Sequence, residues 1–350
     1  MIFSQSGNLE YDKDSILKLT RKIFGETEIS NPDFFEWQYL KNPEGNAIVI
    51  TAKDDENGNS VVGVESILPM SIIVNQKIVK ASLSCNSYVD PDYRKKGIFS
   101  KLISTVQEES VKKGISCIYG VANDNSFNSF MKKGSFEIVD LPILFRPLRL
   151  SDYFSFPLNV ILRPFDNLWK VDRKINPMIS DYDVDFDESF EILSEKASKR
   201  IPIIQRRTKE FLNWRYRNNP TRKYKTFVLK KNSILKGYTI ARKTQVNGKS
   251  VGIIVDFVVD SDENSEVIKD LLIATLEYFW NLGVSFVIAT CGTSALEFQL
   301  LRQNGFKIAP KFLKPQSSHF ILIHSDSNSG MEQLKKYDNW FFSFGDYDVF

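Results

Sequence analysis

The sequence predicts an α+β protein of two tandem modules, each a mixed, mostly antiparallel sheet flanked by helices. Three observations predict it. The stretch from Ser84 to Ala122 reads as a strand, a short basic turn closed by glycine, an amphipathic helix and a second strand. Ahead of it, two helical segments lead into β-rich runs separated by polar turns. Downstream, Phe34-Phe-Glu-Trp-Gln-Tyr-Leu-Lys-Asn-Pro43 returns as Phe211-Leu-Asn-Trp-Arg-Tyr-Arg-Asn-Asn-Pro220, displaced by 177 residues. Ser87-Tyr-Val-Asp also matches Asp256-Phe-Val-Val, and Gly134-Ser-Phe136 matches Gly305-Phe306-Lys307, which marks a duplication and not a long repeat array.

In chain order, Asp14 to Phe24 places Ile16, Leu17, Leu19, Ile23 and Phe24 at helical spacing behind an aspartate cap, and Asn31 to Leu40 is an aromatic-rich helix that stops at Asn42-Pro43. Ala47 to Ala52 and Ser60 to Leu68 read as strands around Asp54 to Asn59, and Met70 to Val74 and Lys77 to Leu83 as strands around Asn75-Gln76. Leu83 to Val89 carries β-formers until Pro91-Asp92, where proline has no N–H to give a ladder. After Gly97, the residues Ile98, Phe99, Leu102, Ile103 and Val106 lie on one helix face, and Lys112-Lys113-Gly114 ends that helix. Arg94, Lys95 and Lys96 therefore sit at a helix start, where cations are unfavourable unless an anion joins them. Gly97 leaves the free N–H groups open, so this turn reads as a phosphate-binding nest.

The stretch resembles the acetyl-CoA-binding core of the GNAT acetyltransferase superfamily, whose signature is a strand, then R/Q-x-x-G-x-G/A, then a helix. Arg94, Gly97 and Phe99 hold the three signature positions, Phe99 departing from the small residue expected there. Asn123, Ser126, Phe130, Gly134 and Phe136 are similar to the closing motif of that family. The resemblance implies an acetyl-CoA (acyl-CoA) donor bound by Tyr88, Val89, Arg94, Lys95, Lys96, Gly97, Ile98, Phe99, Asn123 and Ser126, although Asn123 and Ser126 equally suit a helix cap. Phe130 stands where the family commonly has a tyrosine acid, and it has no hydroxyl to donate.

The resemblance further implies an N-acyltransferase acting on a small-molecule amine, such as an amino sugar or sugar nucleotide, with Val89 N–H at the oxyanion. Glu65 and Asn86 are the candidate catalytic residues: Glu65 is the nearest carboxylate by topology, equally readable as structural, and Asn86 could hold a water or the acceptor. Alternation places Ser84, Asn86 and Tyr88 on one strand face. The carboxylate of Phe350 is a further candidate, since some tandem members of the family use theirs, while the aromatic tail from Asn339 also suits simple packing. The alternatives are an aminoacyl transferase of cell-wall type, against which the Arg94–Gly97 turn speaks, and a non-catalytic acyl-CoA-binding regulator.

The predicted boundaries are an N-terminal CoA-binding module over 1–145, a packed connector over 146–180 broken by Pro147, Pro157 and Pro164, and a C-terminal module over 181–350. In that second module Glu263, Asn264, Ser265 and Glu266 face Arg94 to Gly97, near Asp260 and Asp262, so a diphosphate would be repelled. Asp181, Asp183, Asp185 and Asp187 alternate with larger residues, as on one solvated face of a strand.

The 350 residues suffice for two full cores, and 42% hydrophobic with 25% charged residues is an ordinary globular composition. A net charge of +3 gives no general case for nucleic acid or an acidic membrane surface, so any basic patch must be local. Cys85, Cys117 and Cys291 are too scattered for a disulfide frame, and with His319 and His324 the only histidines, no metal site is expected. No signal pattern or membrane-span run occurs, which predicts a cytoplasmic protein.

Overall fold

The structure, a computed structural model, describes residues 1–7, 9–170, 176–246, 248–260, 262, 265–310, 316–325 and 331–347. Met1–Leu141, Glu210–Arg222 and Gln316–Tyr337 form one compact unit; Pro142–Lys209, Lys223–Pro315 and Asp338–Phe350 form the other. In chain order the elements are β1 (Ile2–Gln5), α1 (Leu9–Phe24), α2 (Pro32–Tyr39), β2 (Ile48–Asp54), β3 (Ser60–Val74), β4 (Lys77–Val89), α3 (Ile98–Lys112), β5 (Cys117–Ala122), α4 (Asp124–Met131) and β6 (Phe136–Asp140). They continue with β7 (Leu144–Pro147), α5 (Leu158–Leu162), β8 (Ile179–Asp181), α6 (Glu188–Ser198), β9 (Ile203–Gln205), α7 (Lys209–Leu212), β10 (Lys225–Lys231), β11 (Ile234–Val246) and β12 (Lys249–Val259). Last come α8 (Ser265–Asn281), β13 (Phe286–Ala289), α9 (Leu296–Gln303), β14 (Lys307–Ile308), β15 (His319–Ser325) and β16 (Trp340–Phe341).

The first unit's sheet runs β1-β2-β3-β4-β5-β15-β6, and the second unit's runs β14-β7-β13-β12-β11-β10-β8. Both are mostly antiparallel; among the described residues each of these runs has one parallel strand pair, β4 with β5 and β12 with β13. The two units repeat one plan of hairpin, crossover helix and parallel strand. Each has also taken one strand from the far side of the sequence: β15 enters between β5 and β6, and β7 between β13 and β14. Compactness therefore does not follow the sequence boundaries at 145 and 181, because strand pairing joins segments far apart in the chain.

Four short predicted runs are two long strands. Pro69 does not break β3, since pairing with β2 has ended at Ile67 and its missing N–H costs no β2 rung. Asn75 and Gln76, both with positive φ (46° and 64°), form the tight turn between β3 and β4. Helix α1 starts five residues before the predicted Asp14, and its Asp12 is occupied by Lys53 and Ser6. The acidic run is a strand only as far as Asp181; Asp187 instead caps α6 by accepting from Ser189 N–H. All three cysteines are buried and none forms a disulfide.

The repeated aromatic segment explains why 210–222 belongs to the first unit. Trp37 and Trp214 stack at 4.8 Å with planes 15° apart. Each indole N–H donates to the other's backbone carbonyl, at 2.7 and 2.8 Å. Arg222 adds a two-toothed ion pair to Glu28. Both rings are buried, so Trp214→Ala is expected to destabilise the protein by about 3–5 kcal/mol in chemical denaturation; a loss below about 1 kcal/mol would show the pair to be dispensable.

Beneath α3, the core gathers Ile48, Ile50, Ile67, Leu102, Val106 and Ile118 with Ile321 and Ile323 of β15. Gly63 lets the helix lie on the sheet, since a Cβ there would come within 3.1 Å of Ile98 and Leu102. The aromatic tail packs: Trp340 and Phe341 pair with β9 and are buried. Phe350 lies outside the described residues. No helix among the described residues is long and apolar enough to cross a membrane.

Candidate active site

The basic turn leaves β4 and enters α3 as the sequence predicts. Lys95 and Gly97 both have positive φ, 63° and 75°, and Gly97 is the cap residue of α3 with no side chain to satisfy the helix's first N–H groups. Arg94, Lys95 and Lys96 are exposed. Lys96 lies over the Tyr93 ring at 4.7 Å, and Tyr93 donates to Asp54 at 2.6 Å, which braces the turn. Three cations and a set of uncapped amides thus point to solvent together, an arrangement suited to a phosphate group. Ile98 is buried, so only its backbone belongs to this surface.

Beside the turn, two parallel strands part. Pairing of β4 with β5 ends at Ser84↔Gly120, although β4 runs on to Val89 and β5 to Ala122. On its other edge β4 stays paired with β3, but the register slips between Val64↔Tyr88 and Ser66↔Cys85, so Glu65 faces two residues, and Asn86 takes φ 52°. Asp90 N–H donates to Val62 O on the β3 side. By alternation, Val89 N–H is aimed the other way, into the gap between β4 and β5.

The bulge also breaks the expected common face of Ser84, Asn86 and Tyr88. Asn86 donates to Gln38 at 2.7 Å and to the Tyr39 hydroxyl at 2.9 Å, and Ser66 also reaches Tyr39. Glu65 follows the opposite face and accepts from Ser84 Oγ at 2.9 Å. The two candidate catalytic residues are therefore not brought together. Tyr88 is buried, its hydroxyl 2.7 Å from Thr20, so it too offers only backbone. Glu65 is fully buried and its Oε2 has no partner among the described residues. Burial pushes its carboxyl up to about 7, with the hydroxyls of Ser87 and Ser84 pulling the other way.

At the end of β5, Asn123 caps α4 by accepting from the N–H groups of Asn125 and Ser126, and Ser126 Oγ donates back to Asn123. Both therefore act as helix-cap residues, placed where β5 leaves the gap. The two departures from the family pattern touch: Phe99 and Phe130 meet edge to face at 5.5 Å. Phe130 is buried and supplies no proton. Behind α4, His319 stacks on Phe127 at 3.9 Å and bonds Glu137 and Asp124 through its two ring nitrogens, at 2.7 and 3.1 Å. Burial opposes its charge, yet the two carboxylates hold its pKa above the ordinary histidine value.

Residues 9–137 match the family model described as an acetyltransferase (GNAT) domain. The chain carries a GNAT domain. No curated protein matches it by sequence. Among solved structures it is similar to a conserved Enterococcus faecalis protein of unknown function titled a probable N-acyltransferase (TM-score 0.64, 11% identity, covering 92% of this chain and 72% of that one). A GCN5-related N-acetyltransferase from Anabaena variabilis gives TM-score 0.62 at 14% identity over 92% and 73%. Saccharomyces cerevisiae N-myristoyltransferase with bound myristoyl-CoA gives 0.61 at 14% identity over 91% and 82%. At such identities these likenesses concern the fold.

The second unit has the same parting strands as the GNAT domain, and there the gap is filled. Pairing of β12 with β13 ends at Ile254↔Ala289 while β12 runs on to Val259. Asp260 N–H donates to Lys236 O, and Val259 N–H, aimed the other way, donates to Glu297 Oε1 at 3.1 Å. Glu297 is fully buried and also bonds Arg200. The offset that carries Gly134 onto Gly305 carries Ser126 onto Glu297, a signal the sequence contained and the acidic-turn reading passed over. Glu263 and Asn264 of that reading lie outside the described residues, and Asp260 is neutralised by Lys196 and Lys236. Asp256, another buried acid of this unit, is likewise saturated, by Arg207 and the Tyr238 hydroxyl, whereas Glu65 Oε2 has no partner among the described residues.

Proposed function

We propose that the chain is an acyl-CoA-dependent N-acyltransferase, taking acetyl-CoA or a related thioester and acylating a small-molecule amine of the amino sugar or sugar nucleotide class. The observation that carries this reading is the Val89 N–H directed into a gap beside an uncapped, cationic helix start. Arg94, Lys95, Lys96 and the amides after Gly97 take the diphosphate, and the pantetheine arm lies along Tyr88 and Val89 as an added strand would. The neutral amine attacks the thioester carbon; the C–N bond forms first, and the C–S bond breaks when the resulting oxyanion collapses. Val89 N–H stabilises the oxyanion between these steps. The amine's proton passes to Glu65 by way of Ser84, which stands on the last rung before the gap, and the departing thiolate takes its proton from water.

A single donor site follows, because Glu297 occupies the matching amide of the second unit. Calorimetry is expected to find one CoA per chain, and Arg94→Glu is expected to weaken it by at least about tenfold, the scale of one charge-assisted hydrogen bond. Unchanged affinity would remove the turn from the donor site. Thiol release, followed over a panel of amines with acetyl-CoA and longer thioesters, tests the transfer itself. The absence of a hydroxyl at Phe130 favours a second reading, an acyl-CoA-binding regulator, and tight CoA binding with no turnover on any amine would select it.

A further inference from the structure

The connector over 149–170 turns its polar side inward and its apolar side out. Asp166, its single acid after Asp152, is buried and accepts from Ser151 N–H and Oγ at 2.9 and 2.6 Å. Ser285 donates to Asp152 at 2.6 Å, Lys249 donates to the Asp152 carbonyl at 2.7 Å, and Arg149 donates to the Trp280 carbonyl at 2.9 Å. These bonds tie the segment to the end of the second sheet. Outward it presents Phe154, Phe156, Leu158, Ile161, Phe165 and Leu168, with Phe156 81% and Leu168 79% exposed. A run of large apolar side chains this exposed is uncommon on a protein surface that meets only water.

We propose that this face docks the protein on an anionic lipid surface. Two observations choose that occupant. Phe156 and Leu168 project almost wholly into solvent, so they form tips that enter a soft apolar phase more readily than they match a fixed protein pocket. From Phe156 to Lys170 the exposed charges are of one sign: Arg163 and Lys170 are exposed and Asp166 is buried, while the exposed acid of the segment, Asp152, lies at its start and accepts from Ser285. Cations level with inserting apolar tips complement anionic headgroups, and either signal alone would hold the surface weakly. The net charge of the chain does not reveal this patch, which is local.

The test is sedimentation of the full chain with phosphatidylcholine vesicles, with and without phosphatidylglycerol. Binding to the anionic vesicles alone is expected. The double substitution Phe156→Ser with Leu168→Ser, at exposed positions the fold does not use, is expected to reduce it by at least about tenfold, and Arg163→Glu with Lys170→Glu to abolish the preference for the anionic lipid. No binding, equal binding to both vesicles, or binding untouched by the serine pair overturns the proposal. Dimerisation in analytical ultracentrifugation that the serine pair abolishes, without vesicle binding, overturns it in favour of a second copy of the chain.

Discussion

Glu65→Gln is expected to lower kcat by about 10²- to 10⁴-fold, the range for a lost general base, and to leave CoA affinity within about twofold by calorimetry, since a single neutral isostere away from the turn removes no charge-assisted contact there. The expectation rests on an oxygen without a partner among the described residues, in a fully buried carboxyl that burial pushes up to about 7. Only the carboxylate form accepts a proton, so kcat/KM of the wild type rises with pH through a limb near 7, and that limb is absent in the glutamine variant. The stability sign is opposite. The unfolded chain loses the Glu65 proton near the ordinary carboxylate value and the folded chain near 7, so between these values the native state holds the extra proton and stability falls as pH rises. Glutamine removes this loss, and at pH 8 the variant is expected to be more stable than the wild type in urea. A purely structural Glu65 predicts full turnover and an unchanged pH profile in the variant; the stability gain follows from burial in either case.

The second large effect lies in the other unit and concerns folding. Arg207, buried within the protein, bonds Asp256 through two nitrogens at 2.8 and 3.0 Å and Asp346 at 3.0 Å. Removing the cation strands two buried carboxylates, so Arg207→Met is expected to cost about 3–5 kcal/mol in chemical denaturation. Desolvation already lifts Asp346 to about 6 against the pull of Arg207. Replacing Asp256 and Asp346 by leucine in the Arg207→Met background is expected to restore most of the loss, because a packed apolar trio has no ion to desolvate. A loss below about 1 kcal/mol in the single variant would mean that water reaches the site.

Much of the site was legible because its chemistry is local. Arg94 to Gly97 can be read as an anion nest from neighbours in the chain, and Asn123 as a cap from the residues that follow it. The bulge at Asn86 was not legible. No residue there announces it, and one extra residue in β4 sends Asn86 to Tyr39 and leaves Ser84 with Glu65. Glu297 was half legible: the repeat offset pairs it with Ser126, but its bond to Val259 depends on where α9 stands beside β12.

The amino-acid order alone determined three helices of the first unit, α1, α2 and α3, together with the hairpin at Asn75-Gln76, the cationic turn and the duplication marked by Trp37 and Trp214. All of these follow from side-chain periodicity, backbone preference and charge within a few residues, or from plain likeness between two segments. Only the tertiary structure decided that β15 joins the first sheet, that Glu65 and Asn86 face apart, and which of two matching backbone amides stays open. Those outcomes depend on register between strands distant in the chain, and one residue of slip there moves every side chain to the other face.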